Sequence, residues 1–121
     1  MEYYIVSIKH TSKGDAALTL WGPNSSGYTW DKRRAGVYTE DQIKGFVGDE
    51  LNIPVRKEDA DKLWLPADDF GDKYTSLPNN TTTCALLGLS VKHMKEKKYA
   101  TCRMKFRLPE TAPAPIPGER P

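Results

Sequence analysis

Apolar and polar residues alternate along the first part of the chain, which is the pattern of half-buried β-strands. In residues 3–10, apolar side chains occupy one face at every second position from Tyr4 to Ile8. Residues 16–21 repeat this alternation, and a turn-rich stretch separates them from a short segment at 28–30. Because the first two segments are close in the sequence, we predict that they pair as an antiparallel hairpin.

The most regular alternation lies near the other end of the chain, in residues 98–107. It predicts a strand with an apolar face toward the core and a basic face toward solvent. A shift of one residue in the pairing of this strand would bury the charged side chains. The pattern therefore strongly indicates that these side chains point toward solvent. The apolar positions are Ala100, Cys102, Met104 and Phe106, and the basic positions are Arg103, Lys105 and Arg107.

Three segments in the middle of the chain predict short helices. Thr39 and Gln42 have the spacing of a capping box, in which each side chain accepts the other residue's backbone N–H. Asn80 or Thr81 can cap a later helix, whose end is weakened by Gly88. The predicted helices cover residues 39–49, 56–64 and 80–87.

Prolines and polar residues predict where regular structure stops. Pro54 is expected to break the chain between the first two helices, and the polar, turn-rich residues 66–80 are expected to form a loop. Residues 109–121 hold five prolines and little to bury, which predicts a disordered or extended tail. The chain is therefore expected to consist of one domain over residues 1–108 followed by this tail.

Together these elements predict an α+β fold, with a small antiparallel sheet and two or three short helices packed on one face. A mostly-β sheet with an irregular middle segment is the alternative. The predicted strands of the sheet are residues 3–10, 16–21, 28–30 and 98–107.

The composition is that of a globular protein, since 38% of the 121 residues are hydrophobic and 28% are charged. No apolar run approaches the roughly 18 residues that span a bilayer, so a membrane protein is not expected. Glu2 stands where a signal peptide needs basic residues, which favours a cytoplasmic protein.

The net charge is only +2, but positive and negative residues are concentrated in different segments of the chain. Residues 40–72 carry a net −6, whereas residues 1–39 and 73–121 carry +2 and +6. The stretch from Lys92 to Arg107 is the most basic and predicts a surface for phosphates or for an acidic protein. Two alternatives stay open: the lysines only discourage edge pairing, or the acidic middle neutralises them.

No arrangement of reactive residues predicts an active site. His10 and His93 are the two histidines, and only His10 lies in the H-x-[ST] motif that two-histidine phosphodiesterases need twice. Cys84 and Cys102 are predicted to be buried, inert thiols. Residues 68–72 lack the ligand spacing of a calcium loop and are predicted to form an acidic surface loop. We therefore predict a non-enzymatic protein without a metal or cofactor.

Aromatic and basic residues are interleaved in the first forty positions. Such mixtures stack bases and bind phosphates, and they also form the anchors of protein interfaces. The alternative is that half of these aromatic side chains complete the core of a thin sheet. The predicted partner-binding residues, including those of the basic C-terminal segment, are Lys9, Trp21, Tyr28, Trp30, Lys32, Arg33, Arg34, Lys97, Lys98, Arg103, Lys105 and Arg107.

Four short segments near the N-terminus resemble small uncharacterised proteins encoded by bacteriophages and prophages. They are residues 3–11 (YYIVSIKHT), 20–24 (LWGPN), 27–29 (GYT) and 35–38 (AGVY). The resemblance implies an accessory protein that binds and inhibits a bacterial defence complex, such as a CRISPR effector, in the host cytoplasm. It implies a host protein complex or nucleic acid as partner and assigns no catalytic residue. The alternative is a nucleic-acid-binding accessory protein that uses the basic strand face and the aromatic cluster.

Overall fold

The computed structural model of this protein describes residues 1–97 and 100–107. Lys98, Tyr99 and residues 108–121 lie outside the described residues. The predicted disordered or extended tail, residues 109–121, falls within this undescribed part. In the described part, the β-strands are β1 Glu2–Ser7, β2 Leu20–Trp21, β3 Tyr28–Thr29, β4 Tyr38–Thr39, β5 Asn52–Arg56, β6 Leu65–Asp69, β7 Asp72–Ser76 and β8 Lys105–Phe106. The α-helices in the described residues are α1 Glu40–Ile43, α2 Lys57–Ala60 and α3 Thr81–Leu87.

The first sheet is built around β1, which pairs with neighbours on both sides. β5 runs antiparallel along the length of β1, and β2 and β4 pair antiparallel with its other side. β3 pairs with β2, so the order across that side is β3-β2-β1. The predicted antiparallel pairing of the first two strands is confirmed, although β2 covers only the end of the predicted segment 16–21.

The prediction that Pro54 breaks the chain is wrong, because this proline lies inside β5 opposite Ile5. Among the described residues, β5 pairs with β1 alone and is therefore an edge strand. A proline has no N–H to donate to a ladder, and an edge strand is where this loss is tolerated.

The second sheet has the order β7-β6-β8 and lies mostly in the segment predicted to be a loop. β6 and β7 form an antiparallel hairpin, so the loop prediction for residues 66–80 is wrong. The predicted strand over residues 98–107 is also wrong in length and in place, since of residues 100–107, which the structure describes, only Lys105–Phe106 forms a strand, and it pairs with β6. Its burial still alternates as predicted, with Cys102 and Met104 buried and the basic residues between and after them exposed.

Helices α1 and α3 begin where their caps predict, whereas α1 and α2 are shorter than expected. The capping box of Thr39 and Gln42 is confirmed, and α1 passes into a 3-10 turn at Lys44–Phe46. α2 covers only four residues. Asn80 caps α3 by accepting the N–H of Thr83, and Gly88 ends it with φ at +71°.

Two hydrophobic clusters hold the sheets and helices together. The larger cluster lies between β1 and the helices α2 and α3, and the smaller one lies against the second sheet. The predicted fold class, α+β with antiparallel sheets and three short helices, is confirmed. No helix in the described ranges is long and apolar enough to cross a membrane. The smaller cluster consists of Ala17, Ala67, Cys102 and Met104, with Ala16, Trp30, Tyr74 and Phe106 packed against it.

Candidate functional site

An open groove of about 750 Å³ lies where the 28–34 segment of the first sheet meets β7 of the second. We call it the aromatic groove, because three of its lining side chains carry large aromatic rings. A volume of this size lies within the roughly 300–1,000 Å³ typical of ligand sites. The lining residues are His10, Thr19, Tyr28, Thr29, Trp30, Asp31, Arg33, Arg34, Asp72, Lys73 and Tyr74.

The rings of Trp30 and Tyr74 in the groove are held by the smaller hydrophobic cluster. The indole Nε1 of Trp30 donates to Thr19 Oγ1 at 3.0 Å. That hydroxyl donates in turn to the backbone oxygen of His10 at 3.0 Å. Both rings are partly buried, so the groove has an aromatic surface whose orientation is set by packing and by a hydrogen-bond chain.

Tyr28 forms an exposed aromatic wall beside the groove. The centroid of its ring lies 4.1 Å from that of His10 and 4.8 Å from that of Trp21, with the ring planes tilted by 46° and 50°. Trp21 is held in turn by a hydrogen bond from its Nε1 to Asn52 Oδ1 at 2.9 Å. Nearly half of Tyr28 remains accessible to solvent, at 46% exposure. A ligand in the groove can therefore contact the Tyr28 side chain where its neighbours leave it exposed.

A buried carboxylate positions one of the arginines. Asp31 is 2% exposed and accepts two hydrogen bonds from the Arg33 guanidinium, at 2.9 and 2.6 Å. Burial alone would raise the pKa of Asp31, but the bonds from the Arg33 side chain and backbone outweigh it and hold that pKa below its usual range. The same guanidinium donates to the backbone oxygen of Lys73 at 3.2 Å, so Arg33 joins the two sheets across the groove.

Further cations surround the groove. Arg34 is exposed and forms no ion pair with any of the residues described, and Lys73 Nζ lies 3.9 Å from Asp68. Desolvation lowers the pKa of His10, and the positive charges of the three nearby lysines lower it further. Those lysines extend the positive surface past His10, and they are Lys9, Lys95 and Lys97.

The segment that carries Tyr28 is held in shape by a close backbone contact. A Cβ on Gly36 would lie 2.5 Å from the backbone oxygen of Gly22, and a Cβ on Gly22 would lie 2.2 Å from that of Ser26, so neither glycine has room for a side chain. The Tyr38 hydroxyl donates to the Gly22 oxygen at 2.5 Å and accepts the N–H of Ser25 at 2.9 Å. The residues of the LWGPN and AGVY segments therefore form one local unit beside the groove.

The turn between β6 and β7 presents an aromatic side chain to solvent. Phe70 is 96% exposed and has φ at +49°, and Gly71 follows with φ at +90°. Positive φ at both central residues is the geometry of a type I′ hairpin turn, which favours Asn-Gly or Gly-Gly. Asp69 and Asp72 flank the turn as its paired residues. We call residues 69–72 the hairpin tip.

The predicted site residues are brought together only in part. Tyr28, Trp30, Arg33 and Arg34 line the aromatic groove, and Trp21 supports it through Tyr28. Lys32 does not line it, since its Nζ lies 5.7 Å from the Trp64 ring centroid and 3.9 Å from Asp61.

The predicted basic strand face lies outside the groove lining, beside acidic residues of the second sheet. Arg107 Nε lies 3.2 Å from Asp68 Oδ2, and Lys105 pairs with Asp68 in the ladder. Arg103 donates to the backbone oxygen of Ala100. The acidic middle of the chain thus lies directly against part of the basic C-terminal segment.

The reactive residues of the described ranges are dispersed. Cys84 and Cys102 are free and buried, and burial raises the pKa of both thiols. His93 Nε2 lies 3.2 Å from Glu50, whereas His10 stacks on Tyr28. No group of three histidine, cysteine or carboxylate side chains in the described part of the chain is placed to hold a metal ion.

Several residues of the aromatic groove and of the hairpin tip were not identified from the sequence. The sequence pattern predicts a loop for Lys73 and Tyr74 and an acidic surface loop for Phe70, whereas the first two lie in β7 and Phe70 lies at a hairpin turn. Gly71 is the one local turn signal there, but Phe-Gly is not among the residue pairs that predict a two-residue hairpin. The role of Asp31 has no such local signal, because its burial depends on the second sheet.

No protein-family model, curated protein or solved structure matches this chain. The hairpin tip and the aromatic groove are the two surfaces of the described residues that bear on its function.

Proposed function

We propose that this chain is a non-enzymatic accessory protein that acts by binding a partner protein, with Phe70 as the anchor of the contact. The observation that carries this proposal is that Phe70 combines 96% exposure with a left-handed backbone conformation. Both features cost free energy for a bulky residue. Exposure of the apolar ring to water is unfavourable, and so is a positive φ for a residue with a large side chain. Asparagine would serve the turn better, so the turn itself does not require phenylalanine.

Aromatic side chains of this kind often carry much of the binding energy in protein interfaces. The hairpin holds Phe70 away from both hydrophobic clusters, so its ring is available to a pocket on a partner. Asp69 and Asp72 flank the ring and form no ion pair with any described residue. The chemistry of the hairpin tip fits an apolar pocket with a basic rim, because such a rim complements the two carboxylates.

The identity of the partner is proposed from the resemblance to phage proteins. It points to a bacterial defence complex, such as a CRISPR effector, in the host cytoplasm. Inhibition follows if the hairpin tip occupies a basic-rimmed pocket that the complex needs for its own nucleic acid. Burial of both thiols and the separation of the two histidines support binding rather than catalysis.

A capture experiment with matched variants tests the proposal. The tagged chain is incubated with bacterial lysate, with and without nuclease, beside the variants Phe70→Asn and Val47→Asn. Val47 is 84% exposed and lies outside the hairpin, so it controls for the loss of any exposed apolar side chain. We expect a stoichiometric protein partner that survives nuclease, is lost with Phe70→Asn and is kept with Val47→Asn. Equal recovery by both variants, or recovery abolished by nuclease, contradicts the proposal.

A further inference from the structure

We infer that the aromatic groove binds single-stranded nucleic acid, with bases against Tyr28 and Trp30 and phosphates beside Arg34 and Lys73. Among the residues that line the groove, only Asp72 also belongs to the hairpin tip, so this inference stands whether or not Phe70 anchors a protein. It rests on the arrangement of rings, on the placement of cations and on the rigidity of both.

Tyr28 and Trp30 both present their rings to the groove. Tyr28 is 46% exposed although His10 and Trp21 pack beside its ring, while Trp30 is fixed by Thr19 and by the smaller hydrophobic cluster. Bases of a single strand stack on such rings without regard to sequence, because every base has a π-face. Bases inside a duplex are already stacked and paired, so these rings favour an unpaired strand.

The cations lie where a backbone would pass. Arg34 has no ionic partner in the described residues, and Lys73 has only Asp68 at 3.9 Å. Arg33 is neutralised by Asp31 but is held rigidly at the boundary between the sheets. Lys9, Lys95 and Lys97 lie close enough to His10 to act on its charge, so further positive charge lies at that side of the groove. A row of cations beside stacking rings is the usual form of a single-strand groove.

The site is preorganised, which limits the conformational entropy that its side chains lose when a ligand binds. The Trp30 and Trp21 indoles each donate a hydrogen bond within the protein. The close contact of Gly22 with Gly36 restrains the backbone on both sides of Tyr28. An acidic protein segment would satisfy the cations of this site but would leave its rings without planar partners.

The test uses fluorescein-labelled oligothymidine and fluorescence anisotropy, at about 50 and 200 mM salt. We expect Tyr28→Ala to weaken binding about tenfold or more, while Tyr28→Phe, which keeps the ring, binds like the wild type. Arg34→Ala should weaken binding and reduce the slope of log affinity against log salt by about 0.7, the value for one phosphate contact to a single strand. Arg56→Ala is the matched control, since Arg56 is exposed beside Tyr3, at the opposite end of β1 from His10.

Competition identifies the ligand class. Unlabelled oligothymidine should displace the probe at lower concentrations than a duplex or polyglutamate. Equal displacement by polyglutamate would assign the groove to acidic protein segments and overturn the inference, as would absence of probe binding at low salt. Equal affinity of Tyr28→Ala and the wild type would also overturn it. These outcomes do not depend on Phe70, so the groove and the hairpin tip are judged separately.

Discussion

Asp15 Oδ1 accepts the backbone N–H of Thr101 at 2.7 Å, and this bond joins residues 86 positions apart. The same oxygen accepts the N–H of Cys102 at 3.0 Å, and Oδ2 accepts the N–H of Ser12 at 2.8 Å. Asp15 is only 3% exposed. One buried carboxylate therefore attaches the C-terminal basic segment to the N-terminal turn.

Replacement of Asp15 should strongly destabilise the fold. Asp15→Ala leaves three backbone N–H groups without their acceptor, and we expect a loss of about 3 kcal/mol or more in the free energy of unfolding. Denaturant unfolding of the variant measures this loss. Asp41→Ala, which removes an exposed carboxylate at 89% side-chain exposure, should hardly change stability. Similar midpoints for the two variants would show that Asp15 has no special role.

The contact between Gly36 and Gly22 predicts a steric requirement for glycine. Gly36→Ala places a Cβ 2.5 Å from a backbone oxygen, so the wall of the groove must shift, and we expect a cost of about 1–3 kcal/mol. Gly45→Ala is the control, because no atom lies within 4 Å of its Cβ position and its φ is not positive. Thermal unfolding should show a lower melting temperature for Gly36→Ala only. A melting temperature equal to wild type would refute the close contact.

The low pKa of Asp31 predicts a specific acid sensitivity. Burial opposes ionisation of this carboxyl, but the hydrogen bonds from Arg33 outweigh it, so its pKa is lower in the folded chain than the usual value of about 3.9. The stability that Asp31 contributes is thus present above about pH 4 and is lost as pH falls through the folded pKa.

Denaturant unfolding between about pH 5 and pH 2 measures this contribution. The variant Asp31→Asn has no carboxyl to titrate at this position, so it should lose less stability than the wild type over that range. An identical acid profile for the two proteins would mean that Asp31 is not linked to folding.

Burial of both cysteines predicts slow thiol chemistry. Cys84 and Cys102 are 3% and 1% exposed, and burial raises the pKa of each thiol, so little reactive thiolate is accessible in the native state. Ellman's reagent should titrate both thiols at once in guanidinium and only slowly in native buffer. Rapid reaction of either thiol in native buffer would place it in a mobile or exposed segment.

Features that depend only on residues close together in the sequence were predictable. The alternation from Tyr4 to Ile8 predicted β1, because a strand repeats every two residues whatever it pairs with. The Thr39–Gln42 capping box and the Asn80 cap were predictable for a similar reason, since caps act within three positions.

Strands that lack a regular pattern were not predictable. Pro54 is accommodated only because β5 lies at an edge, and an edge is a property of the assembled sheet. The β6–β7 hairpin is rich in charged residues, so its polar composition indicated a loop. The basic residues of 103–107 alternate as predicted, yet the side of the molecule they occupy depends on β6.

The sequence by itself determined the fold class, the central strand, the helix starts and the presence of aromatic and basic residues near the N-terminus. Only the tertiary structure decided that Tyr28, Trp30 and Arg34 share a groove with Tyr74, and that Lys32 does not. It also decided that Asp31 is buried and holds Arg33. The physical reason is that local patterns record which face of an element is apolar, whereas grooves and buried charges form where distant elements meet.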